Sequence, residues 1–552
     1  MPRLIDTYLH YSINGFTIQW YSPSFGGGTP AYASAQSMQF SLLQLFTSFF
    51  DPWRSTCLSV IIYLAVGFSA GYFFLRKLIG LEWTASLLGA LLFIVNGFYI
   101  QHISVGHLSF LAFPLLPVIL FYLFRENRSF IFEGLMISIV VAFIFYGGGI
   151  YILTIFIFSL MIMLPLLYVF RSQLFVWRLM GLRSLVGISW ALGLILSKLW
   201  AAIAYLRLFP REIYSTLPIS WLDGLSSIVG QLLGTMTLAP YYWLAQRNLI
   251  PFTQYFSMWI GKSSSLWEFD ISLSPILWFL IMLGLFWILV DLKHPFKLTF
   301  QQHAAILVLI LVLIVEASYI TTIGWGYVYL KMLPGVASLN IPWRFTSALI
   351  YPLSMIGAIS YNRLIRKSGS RKQEITLTLF STIVFIFLLP YFRVPALLTG
   401  QWFNAQSLIG TYYSIKKGYS PMVDQILDVR DADAIQNEAS SLHPHDPMFG
   451  YGASNYKPEI SVGPVDLIEN GYFNINNASG FLYPELNNTK PFERIKVEEK
   501  EQFYDFIQRR QPAWKRPTSQ YIADGISVIC LLATIIFLLG RMMKIHLPHR
   551  SI

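Results

Sequence analysis

The chain has 552 residues, of which 55% are hydrophobic, 16% aromatic and only 12% charged. A soluble chain carries roughly twice that charged share, so the composition excludes an array of ordinary soluble domains and reads as an integral membrane protein. The formal net charge of +11 does not indicate nucleic acid as a partner, because the basic residues sit in short segments between apolar runs, as in cytoplasmic loops facing anionic lipid.

Residues 1–54 contain neither a signal peptide nor a full span, and read as an extracytoplasmic N-terminal loop with a turn-rich stretch from Tyr21 to Pro30. A membrane region of residues 55–392 is expected next. Apolar runs of about 20 residues, enough to cross a bilayer, begin near Ser55, Leu81, His107, Phe130, Gly149, Arg183, Asp270, His303, Trp343 and Glu374, with a last one near Gln520. Gly147-Gly148-Gly149 divides two of these so tightly that a single broken helix is an alternative. Aromatic pieces around Trp221 and Tyr241-Tyr242-Trp243 read as interfacial. Residues 393–518 change character, with many acids, turn signals at Asn476-Asn477 and Asn487-Asn488, and β-like runs such as Ile460-Ser461-Val462. They read as a small extracytoplasmic α+β or β-rich domain, and residues 519–552 as a final span with a cytoplasmic tail. The expected class is thus an all-α polytopic membrane protein of about 11 helices carrying one small soluble domain.

Orientation follows from the basic residues. Arg76 and Lys77, Arg125 and Arg128, Arg171, Arg178 and Arg183, Lys293 and Lys297, the run from Arg363 to Lys372, and the tail Arg541, Lys544 and Arg550 fall in alternate loops. The positive-inside rule makes those loops cytoplasmic. An odd span count then places the N-terminus outside and the C-terminus inside. Nothing before Ser55 would export that N-terminus, so either a further helix precedes Met1 or the span count is off by one.

No hydrolase, kinase or dehydrogenase motif occurs in a fitting context. The glycines at Gly26, Gly27 and Gly28 lack the Lys-Ser/Thr of a phosphate loop, and Cys57 and Cys530 lie at or in apolar runs as inert thiols. Asp6 is either a metal ligand or general base at a membrane face, or a solvated terminal acid. His102 and His107 flank an outward turn, where ionisable groups near membrane depth are functional candidates; interfacial hydrogen bonding is the plainer reading. Lys198 inside an apolar run and Arg344 at the head of one suit a lipid phosphate, with snorkelling to headgroups as the alternative. His443-Pro444-His445-Asp446 is a possible metal ligand set, or simply a surface loop.

Asp6, the stretch Trp20-Tyr21-Ser22-Pro23 through Gly26-Gly27-Gly28-Thr29-Pro30, Gly106-His107-Leu108-Ser109 and Pro342-Trp343-Arg344-Phe345 occur in an order that resembles the GT-C superfamily of membrane glycosyltransferases, and its YfhO-like bacterial members most closely. The resemblance covers residues 1–393 in outline and rests on short motifs. It implies an enzyme of the bacterial inner membrane that takes a sugar from a polyprenyl-phosphate donor at the extracytoplasmic face. Asp6 would be catalytic, a divalent metal (Mg or Mn) could assist, and residues 393–518 would stand for the family's soluble domain. His102, His107, Lys198 and Arg344 would bind substrate. The chain departs from the family in having five residues before Asp6 where members carry a helix, and in lacking a second acidic motif beside His102. Those departures leave open a non-catalytic accessory subunit of a larger membrane complex, with membrane lipids and protein partners. A transporter is a third reading, for which only Glu133, Lys198 and Glu316 supply mid-span charge.

Overall fold

The structure is a computed structural model, and it describes residues 1–125, 129–210, 222, 224–225, 228–234, 270–291, 299–333, 336, 339, 341–366, 368–391, 405–419, 421–444 and 458–546. The chain opens with α1 (Pro2–Asn14) and the short α2 (Leu42–Thr47). Between them, β1 (Tyr21–Ser22) and β2 (Thr29–Pro30) pair antiparallel around the three glycines.

Helix α3 (Pro52–Phe73) starts where the sequence dictates. Asp51 accepts hydrogen bonds from the Trp53 and Arg54 backbone N–H groups at 3.1 and 3.0 Å, and Pro52 needs no partner in the first turn. It runs on through a π-helical turn to Ile79. Then come α4 (Trp83–Ile94) and α5 (Gly97–Ser104), bent by 40° at a break where Asn96 caps α5 by accepting from Tyr99 N–H at 2.9 Å. The apolar helices α6 (Leu116–Phe124), α7 (Phe130–Tyr146), α8 (Ile150–Arg171) and α9 (Trp177–Leu208) follow, so Gly147-Gly148-Gly149 separates two distinct helices. Beyond them lie α10 (Pro275–Asp291), α11 (Phe300–Thr321), the short α12 (Gly324–Lys331), α13 (Ile350–Ile365) and α14 (Ser370–Tyr391).

Five described helices are long and apolar enough to cross a membrane: Pro52–Ile79, Ile150–Leu174, Trp177–Leu208, Phe300–Thr321 and Thr518–Met543. The bent pair α4–α5 is either a sixth, broken span or a re-entrant loop. Leu108–Phe124, Phe130–Tyr146 and Pro275–Trp287 are apolar but shorter. The protein is therefore built as a helical membrane protein, with fewer full-length spans among the described residues than the sequence pattern leads one to expect. Long side chains such as Leu307, Ile310, Ile529 and Ile536 stay exposed, as they can where lipid replaces water.

The polar body is made from both chain ends. Helix α15 (Ala405–Lys416) leads into β3 (Gln425–Leu427), α16 (Asp431–Gln436) and β4 (Ala439–Ser441); β3 pairs parallel with β4 and antiparallel with β5 (Gly463–Pro464). A second sheet of β6 (Ile468–Glu469), β7 (Tyr472–Asn476) and β8 (Arg494–Lys496) is antiparallel. Helix α17 (Lys500–Ile507) packs on it, with Phe473 and Phe503 stacked at 3.8 Å, before α18 (Thr518–His546). Residues 1–47 belong to this body rather than forming a separate loop. Phe25 bridges to Ser441 as an added parallel residue. Gly26 N–H donates to Ser441 O at 2.6 Å, Gly27 N–H to Ser440 Oγ at 2.9 Å, and Asn476 N–H to Gly27 O at 2.8 Å. All three glycines have positive φ, and a Cβ on Gly28 would lie 2.7 Å from the Phe506 ring. Only glycine fits such a turn.

Candidate functional site

Two polar centres emerge, one in the polar body and one among the membrane helices. In the first, Asp6 on α1 is 2% exposed. Its Oδ1 accepts from Arg509 Nη1 at 2.8 Å and from Ser24 Oγ, and its Oδ2 accepts from Gln19 Nε2 at 2.6 Å. Arg509 in turn donates from Nε to Pro421 O at 3.0 Å. The carboxylate thus ties α1, the β1 segment and the end of α17 together. A solvated terminal acid is ruled out by this burial. A free base or metal ligand would need one of these bonds to open. His10, one α-helical turn further on, donates or accepts at Thr17 Oγ1 over 3.1 Å, and burial holds its pKa down to about 4 despite the pull of nearby Asp6. A small cavity lies beside Asp6, bounded also by Arg3, Gln19, Ser22 and Gln44.

In the second centre, His102 and His107 approach from the end of α5 and Arg344 from the 3-10 turn Pro342–Leu349 that leads into α13. His102 is fully buried, and its Nδ1 lies 2.8 Å from Phe98 O. A carbonyl can only accept, so Nδ1 carries the proton and Nε2 presents its lone pair. The His102 ring sits 4.2 Å from Phe110 and 5.6 Å from His107. The guanidinium of Arg344, 4% exposed, lies over Phe110 at 5.3 Å and Tyr151 at 5.0 Å, within cation–π range. Gly106, at φ +82°, turns the chain so that His107 N–H reaches His102 O at 2.8 Å. The structure therefore brings three of the five sequence candidates together around one pair of aromatic rings.

Lys198 is not among them. Its Nζ donates to Ser37 O at 2.6 Å and Phe145 O at 3.3 Å, fastening α9 to the end of α7 and to the loop before α2. Sequence reasoning also passed over Asp270. It is fully buried and accepts from Gln101 Nε2 at 2.7 Å, which anchors the turn of α5 that carries His102. An isolated acid just ahead of Pro275 at the start of an apolar run was the available signal. Arg509 carried none, since nothing in its local pattern ties it to residue 6.

No protein-family model, curated protein or solved structure matches the chain. The chemistry must be read from the residues alone. Among the described residues no group of three His, Cys, Asp or Glu is placed to hold a metal ion, and Asp6 has both oxygens engaged. The segment His443–Asp446 lies partly outside the described residues, as does most of 206–269.

Proposed function

We propose that the protein is a GT-C-type glycosyltransferase of about 11 spans that moves a sugar from a polyprenyl-phosphate donor to an acceptor at the extracytoplasmic face of a bacterial inner membrane. The convergence of His102, His107 and Arg344 carries this reading. In it, the Arg344 fork holds the donor phosphate and stabilises the negative charge left on it as the sugar C1–O bond breaks. His102 and His107 would line the donor site, with His102 Nε2 as the acceptor nitrogen of the ring. The acceptor hydroxyl must lose its proton to a base. Asp6 serves only if the Arg509 bond opens, and Asp270 is the carboxylate tied to the α5 turn. No step is routed through a metal.

The test is the lipid-linked glycan profile of cells carrying Arg344→Gln or Arg344→Lys, beside wild type and a deletion strain, with membrane insertion checked. The proposal expects Arg344→Gln to reproduce the deletion profile and Arg344→Lys to keep part of the activity. A wild-type profile for Arg344→Gln sinks it. The engagement of both Asp6 oxygens favours a second reading, a non-catalytic subunit of a larger membrane complex on the same scaffold. Purified protein that binds a polyprenyl-phosphate sugar but never transfers it would put that reading first.

A further inference from the structure

Behind the Asp6–Arg509 pair the polar body has a second, open pocket, lined by Trp20, Tyr21, Arg509, Arg510, Trp514 and Arg516 among others. Its enclosed volume is about 60 Å³ and it opens to solvent, so a ligand larger than a phosphate would extend out of its mouth. Three buried polar atoms on its lining residues have no hydrogen-bond partner among the described residues: Tyr21 Oη, Trp514 Nε1 and Arg509 Nη2. Trp514 and Arg509 are themselves 8% and 5% exposed. Native proteins leave few such atoms, and each calls for an explanation. The indole and guanidinium atoms are donors only. Burial pushes the Tyr21 phenol well above its usual range, so it too retains a proton to donate.

The wall is cationic as well as donor-rich. Arg516 lies 4.5 Å from the Trp20 ring and 4.6 Å from Tyr521, and Arg510 is half exposed. Each guanidinium has a carboxylate neighbour, Arg509 with Asp6, Arg510 with Asp505 and Arg516 with Asp524. None of those three carboxylates lines the pocket; its lining includes the three arginines and the aromatic side chains with His10 and Gln511. Tyr21 and Trp514 meet edge to face at 4.9 Å, and Trp20, Tyr21, Phe506 and Trp514 all line the pocket.

A ligand suited to this wall carries several acceptor oxygens, a negative charge and a flat C–H face. We propose that this pocket binds a phosphorylated sugar, the phosphate taken by Arg509, Trp514 and Tyr21 and the pyranose ring laid on the aromatic side chains. The site is separate from the Arg344 cluster and does not rest on the function assigned to that cluster.

The full chain in phosphatidylcholine nanodiscs is titrated by calorimetry with glucose 1-phosphate, glucose and inorganic phosphate. Glucose 1-phosphate is expected to bind about ten-fold tighter than either fragment. Tyr21→Phe keeps the ring and removes one donor, and is expected to weaken binding roughly 3- to 10-fold with the unfolding temperature unchanged. Trp514→Phe removes the second donor, and as it also thins the core around Trp514 its binding is compared at a temperature where the variant is folded. Equal affinity for inorganic phosphate means an adventitious ion only, and overturns the proposal. So do variants that bind as wild type, or no binding at all. Repeating the titration in phosphatidylglycerol nanodiscs separates the phosphate sources: unchanged affinity supports a soluble sugar phosphate, whereas its loss assigns the pocket to a lipid headgroup instead.

Discussion

Asp6→Asn is the substitution whose outcome most depends on the geometry. Both members of the Asp6–Arg509 pair have side chains 3% exposed, so removing one charge strands the other out of water. Breaking a buried pair in this way costs about 3–5 kcal/mol, whereas removing both charges together is often close to neutral. For a body of this size, each kcal/mol moves the melting temperature by roughly 2–4 °C. Asp6→Asn and Arg509→Met should therefore each lower the melting temperature of the polar body by roughly 6–20 °C. The double variant should recover a large part of that loss, with a coupling of about 2 kcal/mol or more from a double-mutant cycle. The assay is thermal unfolding of detergent-purified protein, followed by protease resistance of the polar body. Single variants with wild-type melting, or additive losses in the double variant, would refute the structural role. An Asp6→Asn protein that keeps its stability and loses sugar transfer would make Asp6 the base.

Three other substitutions test the packing and the charges. His10 is depressed to about 4 against 6.5 when unfolded, so on acidification the unfolded chain takes up a proton that the native chain refuses. Stability should fall between pH 6.5 and pH 4 by at most about 3 kcal/mol, and His10→Gln should flatten that part of the stability–pH curve. Gly67→Ala places a Cβ 2.2 Å from the Pro114 carbonyl oxygen, where backbone cannot yield, and should cost about 1–3 kcal/mol by denaturation of the purified protein. Glu316 is buried in α11 with neither carboxyl oxygen hydrogen-bonded among the described residues. Glu316→Met should raise the melting temperature, by an amount equivalent to about 1–3 kcal/mol, and a fall instead would reveal a partner for that carboxyl.

The sequence makes some of this architecture plain and hides the rest for a physical reason. Lipid leaves no alternative to internally bonded backbone, so spans appear as unbroken apolar runs and the run from Pro52 is visible at once. His102 and His107 are neighbours on one turn and can be paired by eye. Arg344 joins them only because the turn before α13 carries it over Phe110 and Tyr151, a contact that no local pattern encodes. The same holds more strongly for Asp6 and Arg509, which are 503 positions apart. The glycines at 26–28 are recognisable as a turn without a phosphate-binding lysine. That the turn seats Ser440, Ser441 and Asn476 is a tertiary fact. Residues 1–47 consequently look like a loop in isolation and are part of a folded body.

Lys198 and Arg344 put that distinction to a direct test, because the sequence offers them as equivalent cations for one phosphate. The structure gives them different surroundings. Both lie over two aromatic rings, but Lys198 donates to two backbone carbonyls of neighbouring segments, whereas Arg344 lies on Phe110 and Tyr151 beside two histidines. Methionine at either position removes one charge and keeps a long apolar stem. Lys198→Met strands two carbonyls and should lower stability by about 1–3 kcal/mol, while leaving the lipid-linked glycan profile unchanged once protein level is matched. Arg344→Met should give a lost or altered profile at matched protein level. Since the charge removed is the same, any difference between the two reports where the cation sits. A Lys198→Met protein that melts normally yet loses the profile would return Lys198 to the substrate site and remove it from the joint between α7 and α9.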